Sequence, residues 1–530
     1  MELATRNTIG DGVRRAAELY RIKPALTFED RTWSFAEIDL AADRVARWLL
    51  SLNLKRGDRV AALGRNSDAY LFLWLGCIRA GLIHVPINYA LNGVELDAIL
   101  RQSGARALFY QQVLRETALG ACERNGISLG GALDGPAATD VLAATMDPRW
   151  GAAGDPDPDP MVRDDDLAQL LYTAGTTGRS KGAMMTHRAF VAHYASCIVA
   201  FDYAPGDRHL AALPLYHSAQ MHCVVMPSLL IGSFSHLIEA PEPGLVLKLI
   251  EQEQISSFFA PPTVWIGLLQ HPDLTRRDLG NLRRVQYGAS IMPVPVLEEL
   301  RRRLPAARPF NAYGQSEIGP LATVLRPEEH DARPASVGRP VLNVRTRVVD
   351  LEMRDCAPGV QGEIVHRSPQ LLQGYWDMPD ETARAFEGGW FHSGDIGTMD
   401  ESGYITVVDR VKDLINTGGV LVASRDVEEA LFTHPLVAEV AVIAVPDPKW
   451  IEAVTAVVVL RNDQTSGGVE TIEEALLAHA RDRLAPFKVP KRIHFVDALP
   501  KSTAGKLLKR ELRARYAIDQ EDAPASDKQV

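Results

Sequence analysis

Tyr172-Thr173-Ala174-Gly175-Thr176-Thr177-Gly178-Arg179-Ser180-Lys181-Gly182 is the stretch around which the chain is organised. It holds three glycines, four aliphatic hydroxyls and two cations in eleven residues, directly after the apolar run Leu167-Ala168-Gln169-Leu170-Leu171, which reads as a buried strand. Glycine permits positive φ and places no Cβ in the way, so backbone N–H groups of such a loop can close on an anion. Thr173, Thr176, Thr177 and Ser180 add donors, while Arg179 and Lys181 offset charge, which suits a polyphosphate. The P-loop pattern GxxxxGK[ST] is not met: counted from Gly175, Ser180 replaces a required glycine and Gly182 a required Ser or Thr. An ordinary surface turn accounts for the glycines and threonines, and less well for donors and cations crowded behind an apolar strand.

At 530 residues the chain exceeds one ordinary core, so at least two domains are expected. A net charge of −10 leaves no basic footprint for nucleic acid, so small anions must be met by local sites. Cys77, Cys122, Cys197, Cys223 and Cys356 show neither CxxC nor zinc-ligand spacing and read as thiols in a reducing cytoplasm. No apolar signal-peptide core opens the sequence. The most apolar long stretch, 221–238, is broken by Pro227, Gly232 and His236, so no transmembrane segment is expected.

Apolar side chains recur at helical spacing over 33–50, after Thr32 and Ser34, as in a capped amphipathic helix. Residues 58–63 then read as a strand, 70–80 as a helix and 83–86 as a strand, an alternation that implies layered α/β structure with parallel strands. Residues 130–166 lack periodicity, contain DPDPDP at 155–160, and read as an exposed connection. A helix over 186–200 leads into LPLYHSAQMH at 213–222, and FFAPPTVW at 258–265 suits a strand turning into a helix. Tyr287-Gly288-Ala289-Ser290 and Asn311-Ala312-Tyr313-Gly314-Gln315-Ser316-Glu317 each follow a short apolar run, which puts them at strand ends, where α/β sheets hold ligands. GQSEIG misses the hydrolase elbow GxSxG by one residue, which counts against a serine hydrolase.

Beyond residue 409 the character changes. A helix over 426–432, strands over 440–445 and 454–460, and a short strand over 493–496 describe a small α+β domain. Thr471 with Glu474 gives a capping-box signature for a helix ending near 484. PKSTAGKLLKREL at 500–512 is a glycine-containing loop entering a basic helix, whose Lys509, Arg510 and Arg513 read as a solvated face. The expected layout is a large domain over 1–409, a small one over 410–517, and a disordered tail over 518–530.

The 172–182 loop resembles the signature of the adenylate-forming superfamily, which includes acyl-CoA synthetases, aryl-CoA ligases, luciferases and amino-acid-activating domains. The resemblance is nearest to bacterial fatty-acyl-CoA synthetases. Members read close to YTSGTTGxPKG, so Ala174 and Ser180 are mild departures, and further motifs follow in the family's order from about Thr27 to Arg513. The resemblance implies that Thr173, Gly175, Thr176, Thr177, Gly178 and Lys181 hold ATP phosphates. It implies an adenine side at Gly288, Ala289 and Ser290. In the segment Asn311, Tyr313, Gly314, Gln315, Ser316 and Glu317, Tyr313 packs on adenine, Ser316 touches phosphate and Glu317 holds Mg²⁺. Asp395 is matched to the carboxylate that binds the ribose hydroxyls, Arg410 to the arginine that meets ribose or phosphate, Lys412 to the hinge, and Lys506 to the catalytic lysine. Tyr216 and His217 match the aromatic–histidine pair that closes over the carboxylate, and Trp265 falls in the region lining the acyl pocket. His222 lacks such motif support and reads as structural.

The reaction implied is ATP- and Mg²⁺-dependent conversion of a carboxylic acid to an acyl-adenylate, then transfer to coenzyme A in the cytoplasm. Amino-acid-activating relatives carry an aspartate in the LPLYH region, whereas 213–226 holds no acidic residue here, so an acid without an ammonium group is expected, a fatty acid ahead of an aryl acid. After Gly418 and Gly419, Val420-Leu421 replaces the polar pair usual in CoA ligases at the thiol passage. That change implies slow CoA transfer, with a partner enzyme as the alternative acceptor. A luciferase-like oxygenase is the other enzyme class the resemblance allows.

Overall fold

The computed structural model describes residues 5–518 apart from 136, 138, 159–160, 174–179, 291, 411–412, 418–419, 448–449, 462–468 and 503–506. Gly175, Thr176, Thr177, Gly178, Lys412, Gly418, Gly419, Lys506 and the expected tail therefore lie outside the described residues, except that Ile518 ends a helix. The chain divides into two units. One comprises Met1–Ala289, Glu299–Thr346 and Val365–Ser393; the other comprises Ser290–Glu298, Arg347–Ile364 and Gly394–Val530.

Two sheets carry the first unit. The six-stranded one runs, in spatial order, Ser128–Ala132, Ala105–Tyr110, Arg59–Leu63, Ile83–Ile87, Leu167–Thr173 and Lys181–Thr186. Its pairs are parallel up to Leu167–Thr173, which meets Lys181–Thr186 antiparallel. Ile83–Ile87 is buried at every position, as expected for a parallel strand covered on both faces. The Asp68–Arg79 helix is likewise buried all round, which its sequence DAYLFLWLGCIR foretells. It packs on the Phe35–Ser51 helix so closely that a Cβ on Gly76 would fall 2.4 Å from Val45 Cγ1.

That second helix corrects an expected boundary. Trp33 belongs to the strand Arg31–Ser34, and its indole donates to Asp68 Oδ2 at 2.9 Å, so the helix starts only at Phe35. Ser34 caps it reciprocally with Glu37. The exposed connection expected over 130–166 also needs correction. Residues up to Ala132 complete a sheet strand, and Leu133, Val141 and Ala144 enter the core through the short Val141–Met146 helix. A helix that short has too few turns to show a period.

The nine-stranded sheet runs Arg339–Pro340, Thr323–Leu325, Arg308–Tyr313, Arg284–Gly288, Ser257–Ala260, Arg208–Ala211, Phe234–Leu237, Pro24–Phe28 and Arg31–Ser34. Arg284–Gly288 and Arg308–Tyr313 are parallel neighbours with Tyr287 opposite Asn311 and Gly288 opposite Ala312. The two motifs singled out above therefore end side by side at the carboxyl edge of one sheet.

In the second unit a sheet runs Val420–Val422, Ile415–Thr417, Ile451–Leu460 and Val437–Asp447, with Arg492–Phe495 pairing parallel to Ile451–Leu460. Alternation along Val437–Asp447 feeds two cores: Val442 packs with the Ser424–Phe432 and Val469–Arg483 helices, while Ala441 and Ile443 pack with Leu512 and Tyr516 of Lys509–Ile518. The Val469–Arg483 helix begins before Thr471, so Thr471 lies inside its first turn and is not its cap. This unit also contains Ile405–Arg410 paired antiparallel with Phe391–Met399 along Asp395–Met399. Among the described residues no helix is long and apolar enough to cross a membrane.

Candidate active site

The turn after Arg308–Tyr313 places the central carboxylate. Gly314 turns so tightly that a Cβ there would lie 2.1 Å from Pro320 O, and the chain then enters the short Ser316–Ile318 turn. Glu317 is 6% exposed, and its Oε1 accepts from Thr173 Oγ1 at 3.0 Å and from Tyr375 OH at 3.2 Å. Both partners are hydroxyls, so neither is a cation paired with the carboxylate. A lone carboxylate with spare oxygen valence is the donor Mg²⁺ takes from protein, with water and phosphate completing its shell. Burial beside this carboxylate pushes the Tyr375 phenol well above its ordinary value, so it stays a donor.

Thr173 and Ser180 are the described residues at either end of the glycine-rich loop's core, and Lys181 follows as the first residue of the next strand. Lys181 Nζ contacts Glu381 and stands 5.1 Å over the Tyr375 ring. The hydrogen bond from Lys181 holds the Glu381 carboxyl below its usual range. A cleft of about 450 Å³ lined by Lys181, Asp377, Glu381 and Arg384 adjoins them.

Ser316 Oγ lies 2.8 Å from Ser218 Oγ, which ties the Glu317 turn to the Tyr216-His217-Ser218 segment. Tyr216 and His217 are half-buried, and Tyr216 meets Tyr89 edge-on at 5.7 Å. Gln315 Nε2 donates to Ser393 O at 3.2 Å, and the half-buried Tyr313 ring stands 6.3 Å from His366. Asn311 spends its amide on Ser336 O at 2.9 Å. Ala289 and Ser290 are exposed beyond the strand end, with Ala289 at φ +65°, a left-handed conformation uncommon for a residue with a Cβ.

Trp265 is fully buried, donates to Gln286 O at 3.2 Å and packs against Phe258 at 5.2 Å, so it forms a closed wall. His222 is a core residue, stacked 3.9 Å from Phe190 and bonded to Tyr194 and Gln169.

In the second unit, Asp395 and Arg410 are register partners, joined by Arg410 Nε to Asp395 Oδ1 at 2.9 Å. Gly394 N, in the same Phe391–Met399 strand just before Asp395, donates to Glu363 Oε1 at 3.0 Å. Val420 and Leu421 are 45% and 62% exposed on the hairpin opposite Thr417 and Asn416.

The basic face expected of Lys509 and Arg513 is not solvated. Lys509 Nζ reaches Glu428 Oε1 at 2.8 Å and Ser424 Oγ at 2.6 Å, and Arg513 pairs with Asp413; of Lys509, Arg510 and Arg513, Arg510 alone is exposed. Burial acts to lower the Lys509 pKa, but Glu428 and Asp409 outweigh it and leave the ammonium above its ordinary value. Asp409 also accepts from Ser424 N at 2.6 Å, at the first residue of the Ser424–Phe432 helix.

Tyr375, Glu381 and Glu363 escaped the sequence reading. Each sits in a segment without a motif of its own, and its role is defined by partners far along the chain.

The AMP-binding enzyme family model matches residues 13–376, and the AMP-binding enzyme C-terminal domain matches 426–506. The chain is 38% identical to a feruloyl-CoA synthase of Amycolatopsis sp. over 91% of its own length and 94% of that protein's. It is 32% identical to a fatty acid–[acyl-carrier-protein] ligase of Streptomyces coeruleorubidus, with 93% of each covered. The crystal structure of ATP-bound MatB from Rhodopseudomonas palustris superposes with a TM-score of 0.85 at 30% identity, covering 95% of this chain and 99% of that one. ATP, Mg²⁺ and CoA are the usual requirements of such ligases, and Glu317 supplies the kind of carboxylate the metal needs. The chain belongs to the AMP-binding enzyme family, as an adenylate-forming ligase of the acyl-CoA synthetase type.

Proposed function

We propose that the enzyme activates an apolar carboxylic acid lacking an ammonium group, and that an aryl acid of the cinnamate class is its first substrate. The observation that carries the activation step is the buried Glu317 carboxylate, held by Thr173 at the mouth of the phosphate loop and linked through Ser316 to Ser218 beside His217. A carboxylate oxygen of the acid attacks the α-phosphorus of ATP, and the bond from that phosphorus to the bridging oxygen breaks. Pyrophosphate leaves with the electron pair. Glu317 would hold Mg²⁺, which would offset the charge of the phosphates. Lys506 bridges carboxylate and phosphate oxygens, Tyr313 stacks on adenine, and Asp395 with Arg410 holds the ribose. Preorganised donors at developing charge are the main catalytic resource in such a reaction. The small domain then turns about Lys412, a CoA thiolate attacks the acyl carbon, AMP departs, and the thiol proton passes to solvent.

The choice of acid rests on two supports. The relative with 38% identity over nearly its whole length is a feruloyl-CoA synthase. The wall at Phe258, Phe259 and Trp265 is closely packed, which suits a short planar acid better than a long chain. A fatty acid, first in order on sequence alone, is the second reading and draws on the fatty acid–[acyl-carrier-protein] ligase. That relative's acceptor also favours a carrier thiol in place of CoA, given the exposed Val420 and Leu421.

Pyrophosphate exchange across cinnamate, ferulate, benzoate, octanoate and palmitate, with products followed by mass, tests this reading. Exchange strongest with the cinnamates supports it. Exchange confined to the fatty acids transfers the assignment to the second reading, and none with any acid overturns activation itself.

A further inference from the structure

Behind the Glu317 turn lies a set of three side chains that the adenylation chemistry does not use. His193 and Cys197 are four residues apart on the His187–Ala200 helix, hence on one face. Cys223 comes from the π-helical turn Ala219–Val225, a rare geometry that re-aims side chains and recurs at functional positions. All three are buried. Cys197 Sγ lies 3.3 Å from His193 Nε2, Cys223 Sγ lies 3.9 Å from the same nitrogen, and the three donor atoms fall within 4.8 Å of one another.

These spacings are those of ligands around one ion. Zinc bonds nitrogen at about 2.0–2.1 Å and thiolate at about 2.3 Å, which puts ligand nitrogen and sulfur roughly 3.5–3.8 Å apart. The two observed separations bracket that interval. Two thiolates and a neutral imidazole around Zn²⁺ carry no net charge, which suits a site walled by Phe259, Phe310, Ile318 and Leu321. His222, next to Cys223 in sequence, has both ring nitrogens engaged by Tyr194 and Gln169 and is not a competing ligand.

We propose that His193, Cys197 and Cys223 bind one zinc ion, with the fourth position left to a water. Binding exchanges two thiol protons, released to solvent, for two zinc–sulfur bonds and involves no redox change.

The ion braces the turn that carries Glu317. Gly319 lies close against His193, where a Cβ would come within 2.9 Å of the ring. Gln370 donates to Ile318 O at 3.1 Å and Leu321 O at 3.0 Å, and accepts from Ser196 on the His187–Ala200 helix at 2.5 Å. Fixing His193 thus fixes the far side of the Ser316–Ile318 turn.

The test is the metal content of the full chain, expressed in zinc-supplemented medium and dialysed against EDTA. The same measurement is made on Cys197→Ser and Cys223→Ser, and the parent is also refolded with Co²⁺. The expected result is about one zinc per chain in the parent, lost in both variants, with a thiolate-to-cobalt charge-transfer band in the cobalt form. Should the variants fail to fold, the cobalt band of the parent decides alone, because it reports sulfur ligation directly. Zinc-free parent with no cobalt band overturns the proposal, as does zinc retained in both variants.

Discussion

The Thr173 hydroxyl donates to the Glu317 carboxylate at 3.0 Å, joining the last described residue before the glycine-rich loop to the carboxylate of the Ser316–Ile318 turn. The bond spans 144 residues of sequence and sets the end of the Leu167–Thr173 strand against the turn. Thr173→Val keeps the shape and removes the donor. A hydrogen bond to a charged group is worth about 1.5 kcal/mol, roughly tenfold in rate. Acid-dependent pyrophosphate exchange should fall by about that factor with thermal stability nearly unchanged; a rate equal to the parent's would mean that the bond does not position Glu317.

Lys509 is predicted to be structural through burial. Replacing it by Met leaves the Glu428 carboxylate without its ammonium partner, at a cost of about 3 kcal/mol. The melting temperature should drop, and Lys509→Arg should restore much of it. A Met variant as stable as the parent would contradict the buried pair.

Acidification should weaken the first unit through its buried histidines. Burial lowers the pKa of His84 from 6.5 to about 3, and of His187 and His209 from 6.5 to about 4. Below pH 6.5 the unfolded chain takes up protons that the folded one refuses, so stability is full above 6.5 and falls as pH drops toward 4. Denaturant titrations across that window should show the loss, and His209→Gln should flatten it. An identical slope in that variant would remove His209 from the account.

Much of this architecture was legible in the sequence because burial writes itself into composition. Asp68–Arg79 is apolar on every side and is buried on every side, and Ile83–Ile87 reads as a parallel strand because both its faces are covered. Tyr287-Gly288 and Asn311 to Tyr313 were placed at strand ends from their flanking apolar runs, and their register makes them neighbours. What was not legible depends on distant partners. Lys509 looked like a surface cation because Ser424, which it meets, is 85 residues away, and Trp33 looked helical because its indole's partner Asp68 lies in another element. Glu381 was invisible for the same reason, 200 residues from Lys181.

The exposed Val420 and Leu421 lead to a kinetic prediction. The parent should form acyl-adenylate readily and pass it to CoA slowly, and Val420→Glu with Leu421→Asn should speed the second step alone. Single-turnover measurement of adenylate and thioester decides this: acyl-CoA appearing as fast as adenylate in the parent would show that the apolar pair is silent.

Lys506→Ala should reduce adenylation far more than ATP affinity, since a cation acting on charge that develops in the transition state affects kcat before KM. Loss of only about tenfold, about 1.4 kcal/mol, would assign the chemistry elsewhere.

Acid-dependent adenylate formation at Glu317 is read out by ATP–pyrophosphate exchange by the parent and by Glu317→Gln, each with and without a carboxylic acid. Exchange is expected only when acid is present, reduced by about 100-fold or more in the variant, a loss of about 2.7 kcal/mol or more in transition-state stabilisation. Exchange that ignores the acid, or that survives in Glu317→Gln at the parent's rate, would contradict it.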